Sequence, residues 1–403
     1  MDNSFVAIWN LILVLFIFQG CHASRVFHLQ HVFYENVIYR QRLFGKFLHI
    51  TDLHVDPYYL ESSDPTSFCH RYSPNSILNI AGKFGILSAP CDSPYPLTNS
   101  TFEFMRSNFK DIDFIVYTGD SVRHDKDKSF KRTEEQVLDG HKRVVQFLLK
   151  YIDLSRIKFM PSLGNNDEFE HNRLVEGPND LFSNLTQIWA PLKLNLTSDF
   201  LNGGYYRQDI HRKFSVLNLN SMYFYKKNKL LRDCDIMDSA GALQLKWLER
   251  ELKNARDEGR RIYISQHVPP LEDTRHTDKD SLAFVTANEN EDTYSIIALN
   301  ETHILSKIAT NNIVLALTNA PSLKPTHNPA IRQYAYSTRN WDFGSLKDYK
   351  QYFVNLTEAN EIGEAIWRLE YKASKTYGMN SLGAEDWARV LKDFQAPDSD
   401  TWK

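Results

Sequence analysis

The chain has 403 residues, of which 42% are hydrophobic and 13% aromatic. This composition supplies enough apolar material for a large core, which excludes a disordered or fibrous protein. The formal net charge of −3 gives no global attraction to polyanions, so any phosphate-binding field must be local and come from metal ions and a few Arg or Lys side chains.

The N-terminal stretch predicts entry into the secretory pathway. Residues 5–18 are apolar except for Asn10, and the small residue Ala23 follows them. This pattern is typical of a signal peptide over residues 1–23. An uncleaved signal anchor is the alternative, although about 14 apolar residues are few for a membrane-spanning helix. Residues 24–45 are assigned to an N-terminal arm.

Cysteine and sequon positions agree with an oxidising compartment. Cys69 and Cys91 flank a loop rich in Ser, Pro and Asn, and we expect them to form a disulfide. Closing a loop of this length contributes roughly 3 kcal/mol by restricting the unfolded chain. The N-x-T sequons that would accept glycans are Asn99, Asn184, Asn195, Asn300 and Asn355.

Predicted strands repeatedly run into side chains that bind metals. A buried strand over residues 47–51 is followed by Asp52 and His54, which would share one face of an extended chain. Three later strands, over 113–118, 157–162 and 261–266, run into Gly119-Asp120, Gly164-Asn165-Asn166-Asp167 and His267. Because open α/β sheets bind ligands at the carboxyl ends of their strands, these side chains predict one shared site for divalent ions.

The stretches between these strands predict helices. Apolar residues recur at helical spacing over 132–152 and over 238–259, where Gly259 would form the C-terminal cap. Shorter helices are expected over 101–110 and over the C-terminal stretch 370–392. The alternation of strands and helices indicates an α/β fold.

The ordered series D-x-H, G-D, G-N-N and H resembles the calcineurin-like metallophosphoesterases. The segments H-I-T-D-L-H-V-D-P-Y-Y, C-D-S-P, T-G-D-S-V-R-H-D, G-N-N-D and Q-H-V-P-P look like those of the fungal vacuolar endopolyphosphatases within that family. The acid sphingomyelinases are a closely related branch. The resemblance extends from about residue 46 to about residue 395.

The resemblance implies a sandwich of two mixed β-sheets flanked by helices, with the metal ions at one edge. It implies a metallophosphoesterase domain over residues 46–340 and a C-terminal helical segment over 341–403 that packs on it. The expected substrate is inorganic polyphosphate, cut at internal phosphoanhydride bonds. No nucleic acid is required, and a membrane is involved only through an N-terminal anchor. The expected location is the vacuolar lumen or membrane, with the extracellular space as the alternative.

The family pattern also implies two divalent ions, with Mg, Mn, Zn, Co and Fe as candidates. Asp120 matches the carboxylate that bridges them, Asp52 and His54 match ligands of the first ion, and Asn165 and His267 match ligands of the second. Such a pair of ions can activate water and clamp the oxygens of a phosphoryl group.

Three further residues near these ligands are candidates for a role at the site. His124 matches a histidine that sphingomyelinases use to protonate the leaving group or hold the phosphate, and the alternative is a solvated loop histidine paired with Asp125. Arg123 would bind phosphate oxygens or form a salt bridge. Asn166 stands where the wider family has a catalytic histidine, which favours polyphosphate over a lipid phosphodiester, and it is predicted to bind substrate.

One part of the family pattern is missing from the sequence. A Gly-His-x-His or Gly-His-x-Asn segment that supplies the last metal ligands is expected between residues 310 and 313, and we find none there. Two hypotheses therefore stand together: an active polyphosphate hydrolase, and a catalytically impaired relative that binds polyanions. A sphingomyelinase-like phosphodiesterase is the further alternative.

Overall fold

The computed structural model describes residues 43–269, 285–287 and 318–394. The expected signal segment 1–23, almost all of the arm, Asn300 and the site of the missing Gly-His segment lie outside the described residues. Within these described ranges, no helix combines the length and apolar character needed to cross a membrane.

The strands form two sheets. In chain order they are β1 (Lys46–Ile50), β2 (Phe114–Tyr117), β3 (Lys158–Pro161), β4 (Tyr206–His211), β5 (Phe214–Asn218), β6 (Arg261–Gln266), β7 (Val285–Ala287), β8 (Thr318–Ala320), β9 (Ala330–Tyr336), β10 (Leu346–Val354) and β11 (Trp367–Lys372). The first sheet has the order β11-β10-β9-β1-β2-β3, and the second has the order β4-β5-β6-β7-β8.

The register of the first sheet brings three candidate ligand loops to one edge. β1 pairs in parallel with β2, with Phe47 opposite Phe114, and β2 pairs in parallel with β3. β9 is antiparallel to β1 on the other side. The carboxyl ends of β1, β2 and β3 therefore meet at the same edge, and the residues that follow them are neighbours.

The two sheets pack face to face through an aromatic core. The Phe47 and Phe114 rings of the first sheet stack with centroids 4.7 Å apart, and Phe214 of the second sheet meets Phe114 edge-on at 5.6 Å. Tyr263 on β6 joins the same cluster. Each sheet contains both parallel and antiparallel strand pairs. The predicted sandwich of two mixed sheets is therefore confirmed.

Helices pack around both sheets. They are α1 (Tyr95–Asn108), α2 (Glu134–Tyr151), α3 (Asp180–Ile188), α4 (Ser198–Gly203), α5 (Ala240–Asp257), α6 (Leu356–Ile362), α7 (Ala373–Thr376) and α8 (Ala384–Phe394). Thr133 and Gln136 form a capping box that starts α2, and Ser239 caps α5. Phe102 of α1 and Leu148 of α2 are fully buried in the same core as Leu48 of β1.

The C-terminal region differs from its predicted helical character. The stretch expected to be helical from residue 370 begins inside β11, which pairs with β10 up to Lys372, and helices follow only over Ala373–Thr376 and Ala384–Phe394. The side chains of Trp367, Leu369 and Tyr371 recur at every second position, which is the period of a strand. Residues after 341 therefore complete the first sheet as well as packing helices on it.

Candidate metal centre

The loops after β1 and β2 are joined by backbone hydrogen bonds. Asp52 N donates to Gly119 O at 3.0 Å, and His54 N donates to Asp120 O at 2.9 Å. Asp52, His54 and Asp120 all have positive φ, at 53°, 38° and 61°. Asp52 and His54 do lie together, but not on one face of an extended strand as expected. The strand β1 ends at Ile50, and the left-handed backbone brings the two side chains together. Such conformations cost about 1–3 kcal/mol each and cluster at functional sites.

Asp52, His54 and Asp120 form a fully buried group at this edge. His54 Nε2 lies 3.2 Å from Asp120 Oδ2 and 3.6 Å from Asp52 Oδ1. His54 Nδ1 lies 3.0 Å from the carbonyl of Val122, which can only accept, so Nδ1 carries the proton and Nε2 of the neutral ring turns a lone pair towards the carboxylates. Among the described residues, neither oxygen of Asp52 nor His54 Nε2 makes a hydrogen bond of ordinary geometry.

A cation satisfies this group of buried lone pairs. Burial by itself lowers the pKa of His54, but Asp120 and Asp52 outweigh it and hold the pKa well above its ordinary value. The site thus favours a positive charge at this point, either a proton or a metal ion that replaces it. Carboxylate and imidazole donors fit a divalent first-row metal or Mg²⁺.

Asn165 and His267 form a second group on the other side of Asp120. His267 Nε2 lies 2.8 Å from Asn165 Oδ1 and 3.6 Å from Asp120 Oδ1, while His267 Nδ1 donates to Thr118 O at 2.8 Å. The Asn165 amide nitrogen lies 2.9 Å from His171 Nε2, which fixes the carbonyl oxygen on the His267 side. Two lone-pair atoms therefore face each other here as well, and a cation or a proton between them satisfies both.

Asn166 supports the Asp120 carboxylate that both groups share. Its backbone nitrogen donates to Asp120 Oδ1 at 2.8 Å, and its side-chain nitrogen donates to Oδ2 at 2.7 Å. A Cβ on Gly164 would lie 2.1 Å from Asp120 Oδ1, so the approach of the two loops requires glycine at this position. The side chain of Asn166 thus holds the shared carboxylate, and its predicted contact with substrate stays a prediction.

Asp167 is a supporting residue that the sequence analysis did not single out. Its carboxylate accepts hydrogen bonds from three backbone nitrogens, those of Gly164 at 2.9 Å, Asp120 at 2.8 Å and Ser121 at 2.7 Å. It thereby ties the loop after β2 to the loop after β3. The signal was present, since Asp167 is the fourth residue of the G-N-N-D motif.

His124 lies against the centre and is held by Asp92. Its ring stacks on that of His54 with centroids 4.1 Å apart. The backbone nitrogen of His124 donates to Asp92 Oδ2 at 2.6 Å, and His124 Nδ1 lies 2.8 Å from Asp92 Oδ1. Burial raises the pKa of Asp92, but His124 and Lys324 outweigh burial and hold that pKa below its ordinary value.

The alternative pairing of His124 with a neighbouring carboxylate is not what the described contacts show. Asp125 instead accepts a hydrogen bond from the backbone nitrogen of Arg132 at 2.6 Å. The partner of His124 is Asp92, and the C-D-S-P segment that contains Asp92 was the sequence feature that could have indicated this pairing.

Arg123 is directed away from its expected role. The residue is 2% exposed, and its guanidinium donates to the carbonyls of His124 at 3.2 Å and Phe130 at 3.3 Å and to Gln136 Oε1 at 3.0 Å. Its charge also lies 4.6 Å from the centre of the Phe130 ring. These contacts fix the loop after His124, and phosphate binding by Arg123 stays a prediction.

Cys69 and Cys91 form the expected disulfide, with Cα atoms 5.6 Å apart. Of the described sequons, Asn195 is exposed. The half-buried ones are Asn99, Asn184 and Asn355, and Asn355 caps α6.

Two protein-family models match the chain. The family model for calcineurin-like phosphoesterases matches residues 45–297, and the one for the acid sphingomyelin phosphodiesterase C-terminal region matches residues 305–403. The second match begins before residue 340, where the first domain was expected to end.

Among curated relatives, the chain is 35% identical over 243 residues to the endopolyphosphatase of Saccharomyces cerevisiae, covering 57% of this chain and 36% of that one. It is 30% identical over 368 residues to sphingomyelinase phosphodiesterase C of Dictyostelium discoideum, covering 84% and 79%. The chain spans about a third of the length of the endopolyphosphatases it matches. A solved dimetal phosphatase from Danio rerio is 10% identical with a TM-score of 0.42, covering 82% of this chain and all of that one.

Proposed function

We propose, from the premise that this chain belongs to the calcineurin-like phosphoesterase family, that it is a metal-dependent hydrolase of internal phosphoanhydride bonds in inorganic polyphosphate. The family match covers more than half of the chain. The observation that carries the proposal is the Asp120 carboxylate, which lies between two imidazoles whose Nε2 atoms both face it. The endopolyphosphatase relatives support polyphosphate as the substrate class.

The buried lone pairs around Asp120 fit divalent cations. Asp52, His54 and Asp120 would hold one ion, and Asp120, Asn165 and His267 would hold a second. When bound, such ions supply Lewis acidity and neutralise charge on a phosphoryl group. The protein's own part is to fix the donor atoms, and the carbonyls of Thr118 and Val122 do so by holding each ring with Nε2 towards Asp120.

His124 is assigned to proton transfer in this proposal. Asp92 holds Nδ1, so Nε2 is the ring atom that would deliver a proton to the leaving phosphate oxygen. The stacking on His54 keeps this ring beside the metal ligands. Asp92 acts through His124 and is a positioning residue.

Polyphosphate of long, defined length tests the proposal. The purified chain is incubated with each candidate metal in turn, and products are resolved on a denaturing gel over time. Internal cutting produces intermediate lengths before orthophosphate accumulates, and an Asp120→Asn variant should leave the polymer intact. Unchanged polymer with every metal, although the protein retains bound metal, would contradict the proposal and favour the impaired, polyanion-binding relative.

A phosphodiesterase acting on sphingomyelin-type lipids is the second candidate. It is favoured by the match to the Dictyostelium discoideum relative over 84% of this chain and by the C-terminal region match at residues 305–403. Release of phosphocholine from sphingomyelin micelles, measured beside the polyphosphate assay with the same preparation, decides between the two.

The proposed location is the secretory pathway with delivery to the vacuolar lumen. The disulfide between Cys69 and Cys91 and the exposed sequon at Asn195 support passage through an oxidising, glycosylating compartment. A mobility shift on glycosidase treatment, smaller in an Asn195→Gln variant than in the parent chain, is the expected result.

A further inference from the structure

His70 is a half-buried histidine held between two carboxylates outside the metal-ligand group. Its Nε2 lies 2.8 Å from Asp56 Oδ2, and its Nδ1 lies 2.9 Å from Asp127 Oδ2, with only 7% of the side chain exposed. A neutral imidazole has one N–H and can satisfy only one of these acceptors. The imidazolium has two and satisfies both, so the geometry is that of the protonated ring.

The two carboxylates belong to the loops that surround the centre. Asp56 comes two residues after His54 in the chain, and its backbone nitrogen donates to Ser93 O at 2.9 Å. Asp127 comes three residues after His124, and it accepts a hydrogen bond from Ser129 N at 3.0 Å. A bridge between the two carboxylates therefore joins the His54 loop to the His124 loop.

The surroundings of His70 favour its charged form. The facing groups are Asp56 and Asp127, Arg71 paired with Asp127 at 2.7 Å, the Arg123 charge, and the edge of the Phe130 ring at 5.5 Å. Burial lowers the pKa of His70, and Arg123 also lowers it. The two carboxylates raise it by more, so the pKa lies above its ordinary value of 6.5.

We propose that His70 is a positioning residue whose imidazolium clamps the His54 loop to the His124 loop, so that the centre keeps its geometry in acidic solution and loosens in alkaline solution. On deprotonation, one carboxylate faces a lone pair and loses its charge-assisted hydrogen bond. The clamp should therefore stabilise the fold fully below the ordinary histidine pKa and be lost as pH rises through the higher pKa of the folded state. The rate effect rests on the function proposed above, whereas the clamp itself does not.

Histidine NMR on the full chain tests the clamp directly. The His70 ring signals are assigned by their loss in a His70→Gln variant and followed with pH. We expect a midpoint above 6.5 that falls in Asp56→Asn and in Asp127→Asn, because each variant removes one carboxylate. A His70 midpoint at or below 6.5 would overturn the proposal. The two Asn variants leave His70 in place, so they keep the test valid where His70→Gln fails to fold.

A second experiment separates positioning from simple packing. Rates on polyphosphate are compared from about pH 5 to about pH 9 for the parent chain, for His70→Gln and for a control, His327→Gln, at an exposed position. We expect the ratio of parent to His70→Gln rates to be about 10–100-fold in acid, as for other supporting residues, and to approach 1 in alkali. The control should follow the parent chain throughout. A ratio that does not change with pH would overturn the positioning role.

The parent chain and His70→Gln can also be compared by ligand binding, without measuring hydrolysis. Affinity for inorganic phosphate in the presence of Mn²⁺ is measured at both ends of the pH range for the parent chain and for His70→Gln. A ratio of affinities that narrows as pH rises supports the clamp even when polyphosphate is not cut, whereas equal ratios at both pH values contradict it. Failure of the proposed function and failure of the clamp therefore give different results.

Discussion

The candidate centre has two halves that share one carboxylate. The His54 half contains Asp52, His54 and Oδ2 of Asp120, and the His267 half contains Asn165, His267 and Oδ1 of Asp120. In both halves, a backbone carbonyl holds Nδ1 of the histidine and leaves Nε2 facing Asp120. The halves differ in their third donor, which is a carboxylate in one and a neutral amide in the other.

The two halves also differ in how the chain assembles them. Asp52 and His54 are two residues apart and lie in the loop after β1, whereas Asn165 and His267 are 102 residues apart and come from different sheets. The His54 half has more negative charge and a local scaffold, while the His267 half depends on the packing of the two sheets. We therefore expect the His54 half to hold its cation more tightly.

Asp120→Asn should have the largest effect because both halves lose the shared charge. If weakening each cation costs about 10–100-fold, losing both should lower the hydrolysis rate by about 10²–10⁴-fold. Metal content per chain and rate are measured together, and Asp125→Asn, a change in a nearby carboxylate that accepts a backbone hydrogen bond, is the control. Retention of both metals and of the parent rate would break the comparison.

Removal of the disulfide should lower the stability of the fold that supports the His54 half. Cys91 precedes Asp92, which holds His124 against His54. Cys69→Ser should lower the free energy of unfolding by about 3 kcal/mol, the entropy expected for a loop of about 20 residues. Denaturant unfolding measures this loss, and Cys234→Ser at a position outside the disulfide is the control. Equal stability of both variants would contradict the prediction.

Single changes in each half should separate the two cations. Asp52→Asn should weaken the tighter binding phase by about 10–100-fold, and His267→Gln should weaken the looser phase by a similar factor. Calorimetric titration of metal into the metal-free protein resolves the phases. If both variants lose the same phase, the centre acts as one unit and the division into halves is wrong.

The sequence predicted which residues meet because parallel strands place their carboxyl ends together. Asp52, Asp120 and Asn165 follow neighbouring strands, so their convergence needed only the strand assignments. Contacts between residues in irregular loops could not be predicted in this way, because strand assignments do not fix the path of a loop. The pairing of Asp92 with His124 joins residues 32 apart through an irregular segment, and no periodicity encodes it.

Backbone conformation was the second gap. Local sequence suggested that Asp52 and His54 continue an extended strand, whereas hydrogen bonds from the loop after β2 hold both in left-handed conformations. At the C-terminus, Trp367–Lys372 can follow either a helical or a strand pattern over so short a stretch, and pairing with β10 decides for the strand.

Glu168→Gln tests the scaffold of the His267 half, and its effect should depend on pH. Glu168 lies in the loop that supplies Asn165, and it is 1% exposed. Burial, with the charges of Asp167 and Asp120, raises its pKa well above the ordinary 4.5. The folded protein therefore retains a proton that the unfolded chain releases above about pH 4.5, and this lowers stability as pH rises.

Glutamine has no such proton and keeps the shape of the neutral acid. We expect the variant to match the parent chain at about pH 4 and to become more stable by up to about 1.4 kcal/mol for each pH unit above 4.5, until the pKa of the folded state is reached. Denaturant unfolding at several pH values measures this difference, with Glu170→Gln, a more exposed position in the same loop, as the control. A parent chain that stays the more stable one near pH 7 would show that Glu168 is ionised in the folded state, and that the His267 half carries a second negative charge after all.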